Sequence, residues 1–154
     1  MRSLKLIEHM KTNAERMSEN AMQLVRNSER CSVLVLKVPI EEQKRYSMTI
    51  YRDLMDWLAD PKDVNLEERY VALGIKRAQQ GVPFNNLFWA VCIAHEHLWE
   101  YMQQECLLEE PVEFWGGVML LRSLTQFFDR ALYFTSLGYQ KAEKGEVLTN
   151  LSVA

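Results

Sequence analysis

The sequence predicts an all-α fold: a single helical domain of about five helices. Three observations lead there. Apolar residues recur at steps of three and four in segment after segment. The breaks between those segments carry proline or glycine. The one strand-like run, Val33–Val38, has nothing nearby to pair with as a second strand. At 154 residues the chain fits one domain, residues 1–154, long enough to bury a real core.

The first segment places Ile7, Met10, Ala14, Met17, Ala21 and Leu24 at the heptad spacing of a packed seam. Two alanines and two methionines make that seam thin. Two fates are open to it. It packs into the domain's own bundle, the commoner outcome for an amphipathic helix, or Ile7, Met10, Met17, Ala21 and Leu24 form a candidate dimer interface. Val33–Val38 reads as a buried connector or a short helix ending at Pro39.

A second helix is expected from about Glu41 to Ala59, with Tyr46, Ile50, Leu54, Trp57 and Leu58 on one face. Asp60-Pro61 ends it, because a residue preceding proline is pushed out of helical angles. Asn65 is the expected cap of the next helix, with Glu68 completing a capping box. That helix buries Leu66, Tyr70 and Leu73 and stops at Gly81. Pro83 suits the first turn of the helix that follows. Phe88 to Ala94 is continuously apolar, so this helix sits centrally or lends one face to a subunit interface.

Pro111 is expected to open the last long helix. There Phe114, Val118, Leu121, Thr125, Phe128 and Leu132 form one seam, and Leu120, Leu124, Phe127, Ala131 and Phe134 a second, which predicts two buried faces. Gly116-Gly117 points to close helix approach or a kink, since each glycine costs up to about 1 kcal/mol relative to alanine. Gly145 is the expected end of the helix.

Composition narrows the function. A net charge of −3 leaves no basic footprint for nucleic acid. No apolar run approaches the roughly 18 residues that span a bilayer, and the charged N-terminus carries no secretory signal. The odd, scattered cysteines Cys31, Cys92 and Cys106 read as free thiols in a reducing cytoplasm.

His95 and His97 are the obvious chemical candidates. Two residues apart on a helix they point about 200° from one another and cannot share a metal ion. Trp99 stands where a zinc-protease pattern needs histidine, and no Glu-x-x-His occurs. No metal and no cofactor are expected. His95 shares a face with Val91, Leu98 and Met102, the usual setting of a hydrogen-bonded core or interface histidine. The sharper alternative is a small-molecule or haem pocket formed by His95 with Trp89 and Trp99. Arg77, on a largely apolar helix, then either pairs with a carboxylate or reaches that ligand. His95-Glu96 is similar to the phosphorylated pair of histidine kinases, but no nucleotide-binding segment follows. No Gly-x-Ser-x-Gly and no glycine-rich phosphate loop is present, and Cys92 and Cys106 lack an activating cation, so no catalytic residue is assigned. Glu67-Glu68 and Glu109-Glu110 fall at helix starts, where they favour the dipole. Arg122, Gln126, Asp129 and Tyr133 form a polar strip, either an internal hydrogen-bond network or a recognition surface.

Several pieces together resemble one family. They are Tyr51-Arg52-Asp53-Leu54-Met55-Asp56-Trp57-Leu58, Glu68-Arg69-Tyr70, Leu73-Gly74, Lys76-Arg77-Ala78, Gln80-Gly81-Val82-Pro83 and His97-Leu98-Trp99-Glu100. Phe127–Tyr133 and Gly138-Tyr139 belong with them. This chain resembles the N-terminal sensory domain of RsbR-type stressosome proteins over roughly residues 40–140. The resemblance implies a globin-like, all-helical domain without haem, which dimerises ahead of an effector domain. Ending at Ala154, the chain is expected to act as a separate subunit or as one domain of a larger protein. The resemblance brings no catalytic residue with it.

The expected function is therefore a non-enzymatic sensory or regulatory domain of bacterial signal transduction. It would be cytoplasmic and work through homodimerisation and a protein partner, without nucleic acid or membrane. The alternative is a small-molecule or haem sensor with its pocket at His95.

Overall fold

The computed structural model describes the backbone of residues 2–104 and 114–153 and the surroundings of side chains 7–104 and 118–145. Its elements are α1 (Arg2–Arg26), a 3₁₀ turn (Glu29–Cys31), α2 (Ser32–Lys37), α3 (Ile40–Ala59), α4 (Asp63–Gln79), α5 (Phe84–Gln104) and α6 (Phe114–Val153). No strand occurs among the described residues, and the all-α expectation holds.

The sixth helix, beyond the five expected, is α2, built from the strand-like Val33–Val38 run. Six residues are too few to hold a helix alone. Side chains from elsewhere clamp both ends. Asn86 of α5 accepts from the Val33 and Leu34 backbone N–H groups through Oδ1 at 3.1 and 3.3 Å. Gln43 of α3 donates from Nε2 to the Val35 and Val38 carbonyls at 3.2 and 2.8 Å. The orphan groups of the helix ends are thus satisfied in trans, and β propensity loses to tertiary contacts.

Helix α3 ends at Ala59, before Asp60-Pro61, as expected. The start of α4 differs from expectation. It begins at Asp63, with Lys62 as the capping residue, so Asn65 lies inside the first turn. Pro61 already breaks the chain, and Asp63 is the better residue for the positive helix end. Its carboxylate also receives Arg130 Nε of α6 at 2.7 Å. At the other end Gly81 adopts φ +80°, the left-handed region glycine enters freely. The Gly81 N–H bonds to the Ala78 carbonyl at 3.0 Å and the Val82 N–H to Arg77 at 3.1 Å, a Schellman termination. Pro83 sits one residue ahead of α5 rather than in its first turn. Its carbonyl accepts from Asn86 N–H at 3.1 Å, the first bond of that helix.

The seam of α1 lies in the chain's own core. Ile7, Met10, Met17 and Ala21 are buried, and only Leu24, at its C-terminal end, stays 47% exposed. Four of the five residues proposed for a dimer interface are therefore already covered by α3 and the rest of the domain. Methionine suits the seam because its flexible thioether fills irregular gaps.

Helix α6 buries one full face, not two. Leu120, Leu124, Phe127, Ala131 and Phe134 are buried, as is Phe128. Val118 and Thr125 face solvent, however, and Leu121 and Leu132 are half-buried. A helix on the outside of a domain has one side to give. Gly145 does not end α6, which runs on to Val153. A single glycine costs at most about 1 kcal/mol, and the alanine, glutamate and lysine before it favour helix. The expectations for Pro111, Cys106, Glu109-Glu110, the Phe114 side chain and the surroundings of Gly116-Gly117 lie outside the described residues.

The tightest join in the fold is the crossing of α4 with α6. A Cβ on Gly74 would lie 3.0 Å from Gly138 Cα and 3.1 Å from the Thr135 carbonyl carbon, and nearer still to that carbonyl's oxygen. A Cβ on Gly138 would meet Gly74 Cα at 2.8 Å and Ile75 N at 2.9 Å, with the Val71 oxygen nearer. Each glycine therefore turns a Cα–H toward a carbonyl of the facing helix, a weak attraction available only at backbone contact.

Candidate functional site

Where α1, α2, α3 and α5 converge, the core keeps a cavity of about 60 Å³. Its walls are apolar, with Ala21, Leu34, Ile50, Leu87, Ala90 and Ala94 among them. Arg77 of α4 and Tyr46 and Gln43 of α3 bring polar groups to it. Alanines on both α1 and α5 explain the space, since short side chains facing one another leave the helices' larger residues unable to meet.

Arg77 is only 3% exposed, and its charge is balanced. Nη1 bonds Gln80 Oε1 at 2.8 Å and lies 3.4 Å from Glu42 Oε2. Gln80 Nε2 donates in turn to Glu42 at 2.7 Å, and Lys76 pairs with the same carboxylate from its half-exposed position. The Lys76 hydrogen bond holds the Glu42 carboxyl below the usual range, helped by Gln80 and Arg77 and opposed by burial. Of the two roles the sequence offered Arg77, carboxylate pairing is present, and the residue also lines a cavity.

Tyr46 is the anomaly. Its hydroxyl is buried and has no hydrogen-bond partner among the described residues. The Arg77 guanidinium carbon stands 5.7 Å from the centre of its ring. Burial drives the phenol's pKa far above its ordinary value, although Arg77 pulls the other way. Buried hydroxyls almost always find a partner, so an orphan marks a place where something else is accommodated. The other polar groups nearby are already engaged: Gln43 clamps α2, and Ser47 donates to the Ser18 carbonyl at 2.8 Å.

The residues gathered by sequence into a pocket do not come together. Arg77 lines the cavity; His95, Trp89 and Trp99 do not. The reason is helical geometry. Leu87, Ala90, Val91 and Ala94 share one face of α5, while His95 and Trp99 lie roughly 100° around the axis and Trp89 about 200°. The His95 ring stacks on Phe128 of α6, centroids 4.3 Å apart and planes 14° apart. Trp89 lies under the Arg30 guanidinium at 4.3 Å, beside a surface groove with Phe84 and Phe88. Trp99 is 40% exposed.

His97 pairs with Tyr51, ring Nδ1 to hydroxyl 3.4 Å. Burial lowers the pKa of both His95 and His97, with Asp129 and Glu96 opposing it at His95 and Glu100 at His97. Burial likewise raises the thiols of Cys31 and Cys92, so neither is poised as a nucleophile. The strip on α6 faces outward: Arg122, Asp129 and Tyr133 are exposed and Gln126 half-buried. It is a surface rather than an internal network.

Sequence reasoning passed over Asp53, which is almost wholly buried on α3. Tyr70 donates to its Oδ2 at 3.1 Å and Arg69 pairs with Oδ1. Burial raises the Asp53 carboxyl against both partners. A signal was there to read. Asp53 lies on the same stripe as Ile50, Leu54 and Trp57, and a carboxylate on an apolar stripe needs buried partners.

Among the described residues no cluster of three or more metal-ligating side chains occurs, and no helix is long and apolar enough to cross a membrane. Comparison with known families supplies the remaining observation. Residues 15–149 match the model of the RsbT co-antagonist protein RsbRD N-terminal domain. The chain belongs to that family. It is thus a signal-transduction domain of the RsbR sensory type, and the match reaches back into α1, beyond the segment the sequence motifs marked. Within the family frame, Leu73-Gly74 and Gly138-Tyr139 are the two halves of the α4–α6 crossing, and Gln80-Gly81-Val82-Pro83 is the Schellman turn. No curated protein and no solved structure is significantly similar to the chain.

Proposed function

We propose that this domain is a non-enzymatic regulator, cytoplasmic, acting in stress signalling through homodimerisation and contact with a protein partner. The observation that carries the reading is the family match over residues 15–149. The packing supports a place for the contact. With the α1 seam in the core, five of the nine large apolar side chains exposed among the described residues lie on α5 and α6. Phe88 is 42% exposed, and Cys92, His95 and Trp99 follow it at steps of four, three and four. That is the spacing of a helix–helix seam. Phe88 and Trp99 bracket it as aromatic anchors, the residue type that dominates association energetics. The polar strip of α6, with Asp129 close to His95, runs beside it as a rim.

The test is the mass in solution, by light scattering after size exclusion, of the parent chain and of Phe88→Glu and Trp99→Glu. A dimer reduced to monomer by either substitution supports the interface. A dimer unmoved by both removes α5 as the contact, and a monomeric parent removes homodimerisation itself. The second reading, a haem sensor at His95, is disfavoured because His95, Trp89 and Trp99 do not line the core cavity.

A further inference from the structure

We infer that the cavity between α1, α3 and α5 is a binding site for a short-chain carboxylate, held by the Tyr46 hydroxyl beside Arg77, and that it is separate from the surface at His95.

Three independent features converge on it. The first is the space. Facing atoms lost to a gap forfeit their contacts, yet a partly open space of about 60 Å³ persists here. The second is Tyr46, whose buried hydroxyl has no partner among the described residues and lines that space. A phenol can donate one hydrogen bond and accept another, so its preferred occupant brings an oxygen. The third is charge. Arg77 is the one charged side chain among the described residues that lines the space, both of its contacts, to Gln80 and Glu42, use Nη1, and Asp53, which also acts on the Tyr46 hydroxyl, is paired with Arg69. A head group of negative charge is favoured at that end. A cationic head would face Arg77 directly.

Size and lining set the rest of the molecule. A cavity of about 150 Å³ accommodates the six heavy atoms of benzene, so one of about 60 Å³ takes roughly two to three, the size of formate, with acetate at the upper limit. The walls that would face the hydrogen or methyl group are Ala21, Ile50, Leu87, Ala90 and Ala94. These come from three helices. An occupant would therefore link α1 and α3 to α5, the helix whose outer face carries Phe88 and Trp99. This inference does not depend on the dimer interface, since it concerns a different face of α5.

The experiment is a ¹H–¹³C NMR titration of the full chain with formate and acetate, with methylammonium and sodium chloride as controls. Acetate is expected to shift the Ala90, Ala94 and Ile50 methyl signals saturably, below the concentration at which sodium chloride does the same. Tyr46→Phe should weaken acetate roughly tenfold, the loss of one hydrogen bond to a charged group. It should leave the thermal midpoint of the ligand-free protein equal or higher, because it deletes an unsatisfied buried hydroxyl. Ala90→Leu should fill the cavity and abolish the shifts. Four results would overturn the inference: no saturable shift with either carboxylate, methylammonium binding as well as acetate, undiminished binding in Tyr46→Phe, or a lowered midpoint in that variant. The last would mean that the hydroxyl serves the fold instead. Should Ala90→Leu fail to fold, Tyr46→Phe decides alone.

Discussion

Adding one methyl group at the α4–α6 crossing should destabilise the protein more than its helix propensity gains. Gly138→Ala places a Cβ 2.8 Å from Gly74 Cα and 2.9 Å from Ile75 N. Ordinary contact between such atoms is about 3.5–4.0 Å. The shortfall is on the order of 1 Å, and the atoms opposite are backbone, which cannot rotate aside as a side chain would. Overpacking of this kind costs about 1–3 kcal/mol, and a rigid neighbour puts the case at the upper end. Alanine returns up to about 1 kcal/mol through helix propensity. The net loss is about 2 kcal/mol, or a fall in Tm of roughly 4–8 °C for a domain of this size. Gly74→Ala should behave alike, with the Thr135 carbonyl opposite. The double variant should lose less than the sum, since helices already parted by one methyl admit the second more easily. Gly145→Ala is the control: nothing lies within 4 Å of a Cβ there, and helix propensity should raise Tm slightly. Thermal unfolding followed by circular dichroism reads all four. If Gly138→Ala and Gly74→Ala match or exceed the parent while Gly145→Ala does not stand apart, the close crossing is not what holds α4 to α6.

Other consequences follow from the buried polar groups. Burial lowers the folded-state pKa of His95 and His97 below the ordinary 6.5. The unfolded chain then binds more protons near and below that pH, so this contribution to stability is present above it and declines as pH falls through the depressed values. Urea midpoints should drop between about pH 7.5 and 5.5, and His95→Gln/His97→Gln should flatten that slope; an equal slope would remove the histidines as its cause. Glu42→Ala leaves Arg77 buried with Lys76 and no carboxylate, and should cost about 3 kcal/mol in urea unfolding. A loss within error would show that the guanidinium is accommodated without its partner. Asn86→Ala uncaps α2 and should cost about 1–2 kcal/mol. Amide exchange should rise first at Val33 and Leu34, and protection there equal to the parent would contradict the trans cap.

The legible parts of this chain were those in which neighbours in sequence make the decision. The ends of α3 at Asp60-Pro61 and of α4 at Gly81 depend on angles that proline forbids and glycine permits. The buried stripes of α3 and α4 and the one buried face of α6 follow periodicity, whereas the second face periodicity offered on α6 stays partly in solvent. Legibility failed wherever the deciding partner was distant. Asn65 looked like a cap because the motif is local, whereas Asp63 begins α4 with Arg130, sixty-seven residues on, at its carboxylate. Val33–Val38 could be a connector or a short helix ending at Pro39, and the partners that decide for the helix, Asn86 and Gln43, lie on other elements. His95, Trp89 and Trp99 were grouped by closeness in sequence, and the turn of α5 separates them from the cavity.

By itself, then, the sequence determined the all-α class, the main apolar stripes of the long helices and the motifs that mark the family, because each is set by backbone angles and by spacing along one element. Only the tertiary structure decided which faces meet. It alone placed the α1 seam inside the core, brought Gly74 and Gly138 to backbone contact, and set Tyr46 beside Arg77 against a cavity. The physical reason is that packing is settled by shape and by the pairing of buried polar groups between elements far apart in the chain. No single helix carries that information.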